Sequence, residues 1–383
     1  MTRQLSVPSL PPEITDYIID HCHSDKDALS TCGMVSKSWY SASRYHLFSA
    51  VEVSQVEGKG FYDLLHTSRL LGVTVTSYIQ ELSFHLKAGD TEGWLADLSS
   101  VLPEYVPLRT LRIFCHGVHL SEEIKQMFTA TFRSITHLAL FESTLRRRSL
   151  ADDVKFICSF QNLESILFYG HHRHDMDIPL DFQLPSRVRT LKLDLPGPGT
   201  EAFIQWLLTH ENGIPLVPVL HVFRITNDTN PALQAYLRAC KHELQDLMLF
   251  LYQYRADLAD FDFSEHTALK NLYLNFNGTS TTRTAHEVLS TLRSCDLENL
   301  IMRISVYELI EIEDWAPVDS LLASVCPAAR VTVAVDEHGE YQDRMRARLP
   351  SCDQRGQLDV VRAGTPSIAN DYVEEVYERM KAF

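Results

Sequence analysis

The chain has 383 residues, 45% of them hydrophobic, and a formal net charge of −15. That length and apolar content suffice for two ordinary domains or one long repeat array with a full core. The acidic balance excludes the concentrated lysine and arginine that nucleic acid or an anionic membrane would demand; Arg146–Arg148 and the alternating Arg344, Arg346 and Arg348 read as solvated surface.

The N-terminal MTRQLSVPSLPPE has no apolar stretch of the kind that opens a signal peptide, and the longest apolar run, Leu247 to Tyr252, is too short to span a bilayer. The expected compartment is cytoplasmic or nuclear. The eight cysteines form no C-x-x-C pair and lie mostly within apolar patterns, so they read as reduced core thiols. The sequons at Asn227 and Asn277 are expected to stay unmodified.

In chain order, Leu10-Pro11-Pro12-Glu13 starts a helix, since proline is tolerated in a first turn where its missing N–H would have no partner. Ile14, Tyr17, Ile18 and Cys22 then share one face. Ser24-x-x-Asp27 has capping-box spacing for a second helix, with Ala28, Leu29 and Cys32 as its apolar side and Gly33 as its end. Val35, Trp39 and Ala42 mark a third, Leu47-Phe48 closes it, and the alternating Val51 and Val53 predict a strand. Three short helices over about forty residues bury too little to be stable alone. The rest of the chain or another protein must complete them.

These residues resemble the F-box family. Leu10-Pro11-x-Glu13-Ile14, Ile18-Ile19, Leu29, Val35-x-Lys37-x-Trp39 and Leu47-Phe48 match its pattern in order and spacing, with Ser36 standing where the family very often has cysteine. The resemblance implies docking to the adaptor of an SCF ubiquitin ligase, and through it to the cullin scaffold. The adaptor-facing residues it implies are Leu10, Pro11, Ile14, Ile18, Leu29, Val35 and Trp39. The plain alternative is a helical cap on the larger domain.

Beyond residue 51 a pattern of apolar, two residues, apolar, one residue, apolar recurs. Its first members are Ile79, Leu108, Ile135, Leu163, Val188, Leu220, Leu244, Leu269 and Leu297, giving steps of 29, 27, 28, 25, 32, 24, 25 and 28, with a further copy at Val331-x-Val333. Helical patterning fills the intervals, as in LSEEIKQMFTATF, TEAFIQWLLTH, PALQAYLRAC and TAHEVLSTLRSC. One strand and one helix per step resembles a degenerate leucine-rich repeat, degenerate because the family's Asn or Cys after the third apolar position is irregular and Cys115 lies one residue off register. The resemblance implies an α/β solenoid with a parallel concave sheet and outer helices. A doubly wound sheet is the rival architecture. Concave positions such as Arg109, Arg112, Arg189 and Lys192 are the candidates for holding a protein target.

His171, His172 and His174 with Asp175 and Asp177 form the most metal-like cluster, but adjacent ligands in a loop seldom make a preorganised site. Gly197-Pro-Gly199-Thr-Glu-Ala202 loosely matches a dinucleotide loop, yet Pro198 removes an N–H that would face a phosphate, so it reads as a strand-to-helix turn; Asp228, at the end of the next strand, is a coincidence. No G-x-S-x-G, P-loop or kinase signature occurs, so no catalytic residue, metal or cofactor is expected.

The sequence thus predicts a three-helix F-box at 7–50, a leucine-rich-repeat-like solenoid at 51–353, and a C-terminal stretch at 354–383 in which Gln354 to Pro366 is irregular and a capping helix begins near Asn370. The expected function is a substrate receptor of an SCF-type ligase, acting by protein–protein interaction and not as an enzyme. The alternatives are a scaffold that uses the adaptor outside the ligase, and a metal-dependent hydrolase centred on His171, His172 and His174.

Overall fold

A computed structural model describes residues 11–362, apart from 24, 55–56, 71–74, 88–93, 96, 99, 101, 103–105, 107, 143–148, 171–176, 196–197, 211–212, 226–229, 253–260, 278–280, 293–296, 305–313, 326 and 336–339. Leu10, Arg146–Arg148, His171, His172, His174, Asp175, Gly197, Asn227, Asp228, Cys295, Cys326 and the predicted helix near Asn370 lie outside the described residues.

Twelve strands hydrogen-bond to one another in chain order in one parallel sheet: β1 Ala50–Ser54, β2 Glu81–Lys87, β3 Thr110–His116, β4 His137–Glu142, β5 Ser165–Gly170, β6 Thr190–Asp194, β7 Val219–Ile225, β8 Asp246–Tyr252, β9 Asn271–Asn277, β10 Asn299–Ile304, β11 Arg330–Val335 and β12 Leu358–Arg362. A doubly wound sheet must reverse its strand order at a switch point. No reversal occurs among the described strands, so that rival is excluded.

The chain divides into two compact units, residues 1–139 and 140–383. In the first, α1 Pro12–His21, α2 Lys26–Val35 and α3 Lys37–Ser49 precede β1, α4 Gly58–Leu70 and a short 3-10 turn at Val75–Ser77 precede β2, and α5 Glu122–Thr131 follows β3. Two local details differ from the sequence reading. Asp25 caps α2, its carboxylate accepting from Ala28 N at 2.9 Å, and Ser24, the expected start of the capping box, lies outside the described residues. Gly33 does not end α2, which runs two residues further to Val35, where the extended backbone of Ser36 breaks it. Ser36 then caps α3 by accepting from Ser38 N at 3.3 Å. The core face of β2 carries Leu82 and Phe84, and Phe84 packs against Phe128 and Phe132 beside α5, with ring centroids 5.1 and 6.3 Å away.

In the second unit the described helices are α6 Leu150–Cys158 before β5, α7 Pro198–Leu208 before β7, α8 Asn230–Cys240 before β8, α9 Thr281–Thr291 before β10, α10 Ala316–Val325 before β11, and α11 Glu340–Arg348 and α12 Pro350–Gln354 before β12. Helix α7 packs beside α8, α9 beside α10, and α10 beside α12. Phe203 of α7 lies edge-on to Phe168 of β5 at 6.0 Å. The strand pairing moves one predicted anchor: Leu191 pairs with Leu220 and Leu193 with Val222, so the sixth copy is Val217-Leu220-Val222 and not Leu220-Phe223-Ile225. The steps on either side of it, 188 to 217 and 217 to 244, become 29 and 27 in place of 32 and 24. The apolar run from Val217 to Ile225 fits the motif twice, three residues apart, and only cross-strand register separates the two fits.

Residues 358–362, predicted as an irregular connection, form β12, whose Leu358 and Val360 pair with Val331 and Val333 and are buried. The predicted turn before α7 is present: β6 ends at Asp194, Pro198 opens the helix, and the hydroxyl of Thr200 donates to Leu195 O. Cys115, Cys240 and Cys352 are buried free thiols, while Cys22, Cys32 and Cys158 are free and half-buried. Burial pushes the Cys158 thiol up to about 12 and that of Cys240 to about 11, so both stay protonated.

Candidate interaction surfaces

Helices α1 to α3 bury little of their own apolar surface. Thr15 and Ile19 of α1, Leu29 of α2 and Ser43 of α3 form the inside, and the small side chain of Ser43 lets Gly33 approach, a Cβ at Gly33 standing 3.8 Å from Ser43 Cβ. His46 Nε2 and Asp20 Oδ1, 2.7 Å apart, tie α3 to α1. The opposite side of α1 and the end of α2 face outward: Ile14 is 47% exposed, Tyr17 62%, Ile18 37%, Met34 79% and Val35 65%. Five large apolar side chains are thus left exposed in one small helical unit.

Of the sequence-predicted adaptor residues, Pro11, Ile14, Ile18 and Val35 are exposed and Trp39 is half-buried. Leu29 is fully buried inside the helical unit. Sequence reasoning did not single out Met34, the most exposed of the set, because it falls between the helical faces that the apolar spacing defines. Ser36, the departure from the family pattern, is spent on capping α3.

On the sheet, alternate residues of each strand point away from the anchors. In the first unit Arg112 of β3 is half-buried and its guanidinium lies 3.0 Å from Glu81 of β2, whereas Arg109 is exposed just before the strand. His85 stacks on Phe114, its register partner, with centroids 4.4 Å apart and planes 3° from parallel.

In the second unit Arg189 is exposed before β6, and Lys192 stands within it, half-buried, opposite His221 of β7. Desolvation holds the Lys192 ammonium below its ordinary range. Burial, aided by the Lys192 charge, brings the His221 imidazole down to about 3. One row nearer the strand starts, Asn271 Nδ2 donates to Asp246 Oδ1, and Asn299 Nδ2 donates to Asn271 Oδ1 at 2.7 Å. The sequence carries a signal for this row: Leu244-Gln-Asp246-Leu247, Leu269-Lys-Asn271-Leu272 and Leu297-Glu-Asn299-Leu300 place the three side chains in one column of the repeat.

Asp177, the described member of the predicted His/Asp cluster, is exposed. Among the described residues no three or more His, Cys, Asp or Glu gather where they could hold a metal ion, and no helix is long and apolar enough to cross a membrane. No protein-family model matches the chain, and no curated protein is significantly similar to it.

Proposed function

We propose that the chain is the substrate-recognition subunit of an SCF-type ubiquitin ligase, with α1 to α3 acting as an F-box and the strand–helix array as a leucine-rich-repeat-like solenoid that holds a protein target. The observation that carries this reading is the outward exposure of Ile14, Tyr17 and Ile18 on α1 and of Met34 and Val35 at the end of α2. Three of these, Ile14, Ile18 and Val35, are positions at which the sequence resembles the F-box motif. Support for the solenoid comes from strands paired strictly in chain order and from a step between the nine anchors from Ile79 to Leu297 that tightens to 25–29 residues once Val217 is placed in register.

In this role the chain supplies proximity and no bond chemistry: the adaptor end fixes it to the ligase, and the sheet keeps a target near the charged ubiquitin carrier. Coexpression with the SCF adaptor, followed by capture on a tag carried by this chain, tests the docking. The adaptor should co-purify with the wild-type chain and be lost with Ile14→Ala combined with Trp39→Ala, since truncated interface anchors commonly cost about 2 kcal/mol or more each. Absence of the adaptor from the wild-type capture would overturn the reading. Adaptor recovery without ubiquitination of any captured protein in a reconstituted ligase would favour a scaffold role.

A further inference from the structure

The row Asp246, Asn271, Asn299 has a fixed polarity. A carboxylate can only accept, so Asp246 decides which end of the Asn271 amide faces it, and Asn271 Oδ1, turned the other way, decides the orientation of Asn299 in the same manner. Each link therefore locks the next, and the two amides are set before any ligand arrives. Register places Asp246, Asn271 and Asn299 side by side on β8, β9 and β10, at the cross-strand spacing of about 4.8 Å. A primary amide offers two donors and two acceptor lone pairs, and the ladder leaves both asparagines half-buried with capacity to spare.

The next row of the same face carries Tyr273 and Ile301, register partners on β9 and β10 and likewise half-buried. A preset strip of amide donors and acceptors beside a shallow apolar strip is complementary to one kind of ligand, a polypeptide chain in extended conformation. Such a chain presents the N–H and C=O of alternate residues to one side. A globular protein would offer such an edge only at an exposed edge strand.

We infer that the face of β8–β10 carrying this row binds an extended polypeptide segment, its main chain hydrogen-bonded by Asn271 and Asn299 and its apolar side chains laid over Tyr273 and Ile301. This deepens the target-holding part of the proposed function and is independent of the adaptor. Because Asp246 holds the amides in place beforehand, binding forgoes little of the entropy that ordering them would cost.

The test uses the full chain without the adaptor and a phage-displayed library of random linear peptides, with a library of ring-closed peptides as the comparison. Linear peptides with apolar residues at alternate positions should be enriched. Their affinity should fall roughly tenfold or more with Asn271→Ala combined with Asn299→Ala, the loss of two main-chain hydrogen bonds. Asn299→Ala alone keeps the Asp246–Asn271 bond and should give part of that loss with an unchanged melting temperature. Should the double variant fail to fold, the single variant decides. A ladder that served only to hold strand register would lower the melting temperature and leave peptide affinity intact. That result, a lack of enrichment from the linear library, or enrichment from the ring-closed library alone would overturn the inference.

Discussion

Lys192 and His221 stand opposite each other on neighbouring strands, and burial makes a proton on His221 costly while the lysine's charge makes it costlier. In the folded chain His221 stays neutral down to about pH 3, against 6.5 for an ordinary histidine. Below 6.5 the unfolded chain binds a proton that the folded chain refuses. Stability from this residue is therefore complete above pH 6.5 and is lost as the pH falls towards 3, by at most about 1.4 kcal/mol per pH unit. His266, buried with Nε2 bonded to Leu237 O and also lowered by desolvation, acts in the same direction. Thermal melts from pH 7 to pH 4 should show a smaller drop for His221→Gln than for wild type. Parallel curves would remove His221 as a source of acid sensitivity.

Gly58, at the start of α4, lies directly beneath the indole of Trp94. A Cβ there would stand 2.8 Å from Cε3 and 2.9 Å from Cδ2, too close for any contact to survive without movement. Gly58→Ala should therefore destabilise the first unit by about 1–3 kcal/mol, although alanine is the better helix former. Combined with Trp94→Leu, the alanine should cost less than it does alone, a coupling that thermal melts of the double-mutant cycle would expose. Additive effects would mean that the ring moves aside freely.

The four basic positions predicted to face a target differ in their surroundings. Arg109 and Arg189 are exposed, so glutamate at either should change stability by no more than about 0.5 kcal/mol. Lys192→Glu places a carboxylate in a desolvated site two residues from the buried Asp194, and Arg112→Glu sets like charges against Glu81; each should cost roughly 1–3 kcal/mol. Equal melting temperatures for Arg189→Glu and Lys192→Glu would contradict this division. Charge-reversal tests of target capture are then best made at Arg109 and Arg189.

Two helix caps set the stability of the helical unit. Asp25→Ala removes the acceptor for Ala28 N, and Ser36→Ala removes that for Ser38 N, each expected to cost about 1 kcal/mol. Circular dichroism and thermal melting of the full chain would register both. No loss from Asp25→Ala would return the cap of α2 to Ser24.

The strand anchors were legible because each step repeats the same apolar spacing, and every anchor predicted outside β7 is buried where the motif places it. In β7 the run Val217 to Ile225 satisfies the motif in two frames, and the choice between them depends on Leu191 as a partner. β12 escaped because two buried residues, Leu358 and Val360, are too few to carry a periodicity. The Asp246–Asn271–Asn299 row became visible only with neighbouring strands in register, since the three residues are 25 and 28 positions apart in sequence. On α1 the spacing of Ile14, Tyr17 and Ile18 gave the apolar face, but the same spacing fits an inner or an outer face, and the burial of Thr15 and Ile19 instead decides that it turns outward.

The contrast between Ile14 and Leu29 offers the most direct measurement. Both belong to the predicted adaptor motif, but Ile14 is nearly half exposed and Leu29 is fully buried. Purified SCF adaptor should be titrated against the wild-type chain, Ile14→Asp, Val35→Asp and Leu29→Ala, with a thermal melt of each. A surface that docks the adaptor predicts that Ile14→Asp and Val35→Asp abolish binding at unchanged melting temperature, while Leu29→Ala lowers the melting temperature by the equivalent of about 2–5 kcal/mol. Undiminished adaptor binding by Ile14→Asp and Val35→Asp, or no binding by the folded wild-type chain, would contradict the account.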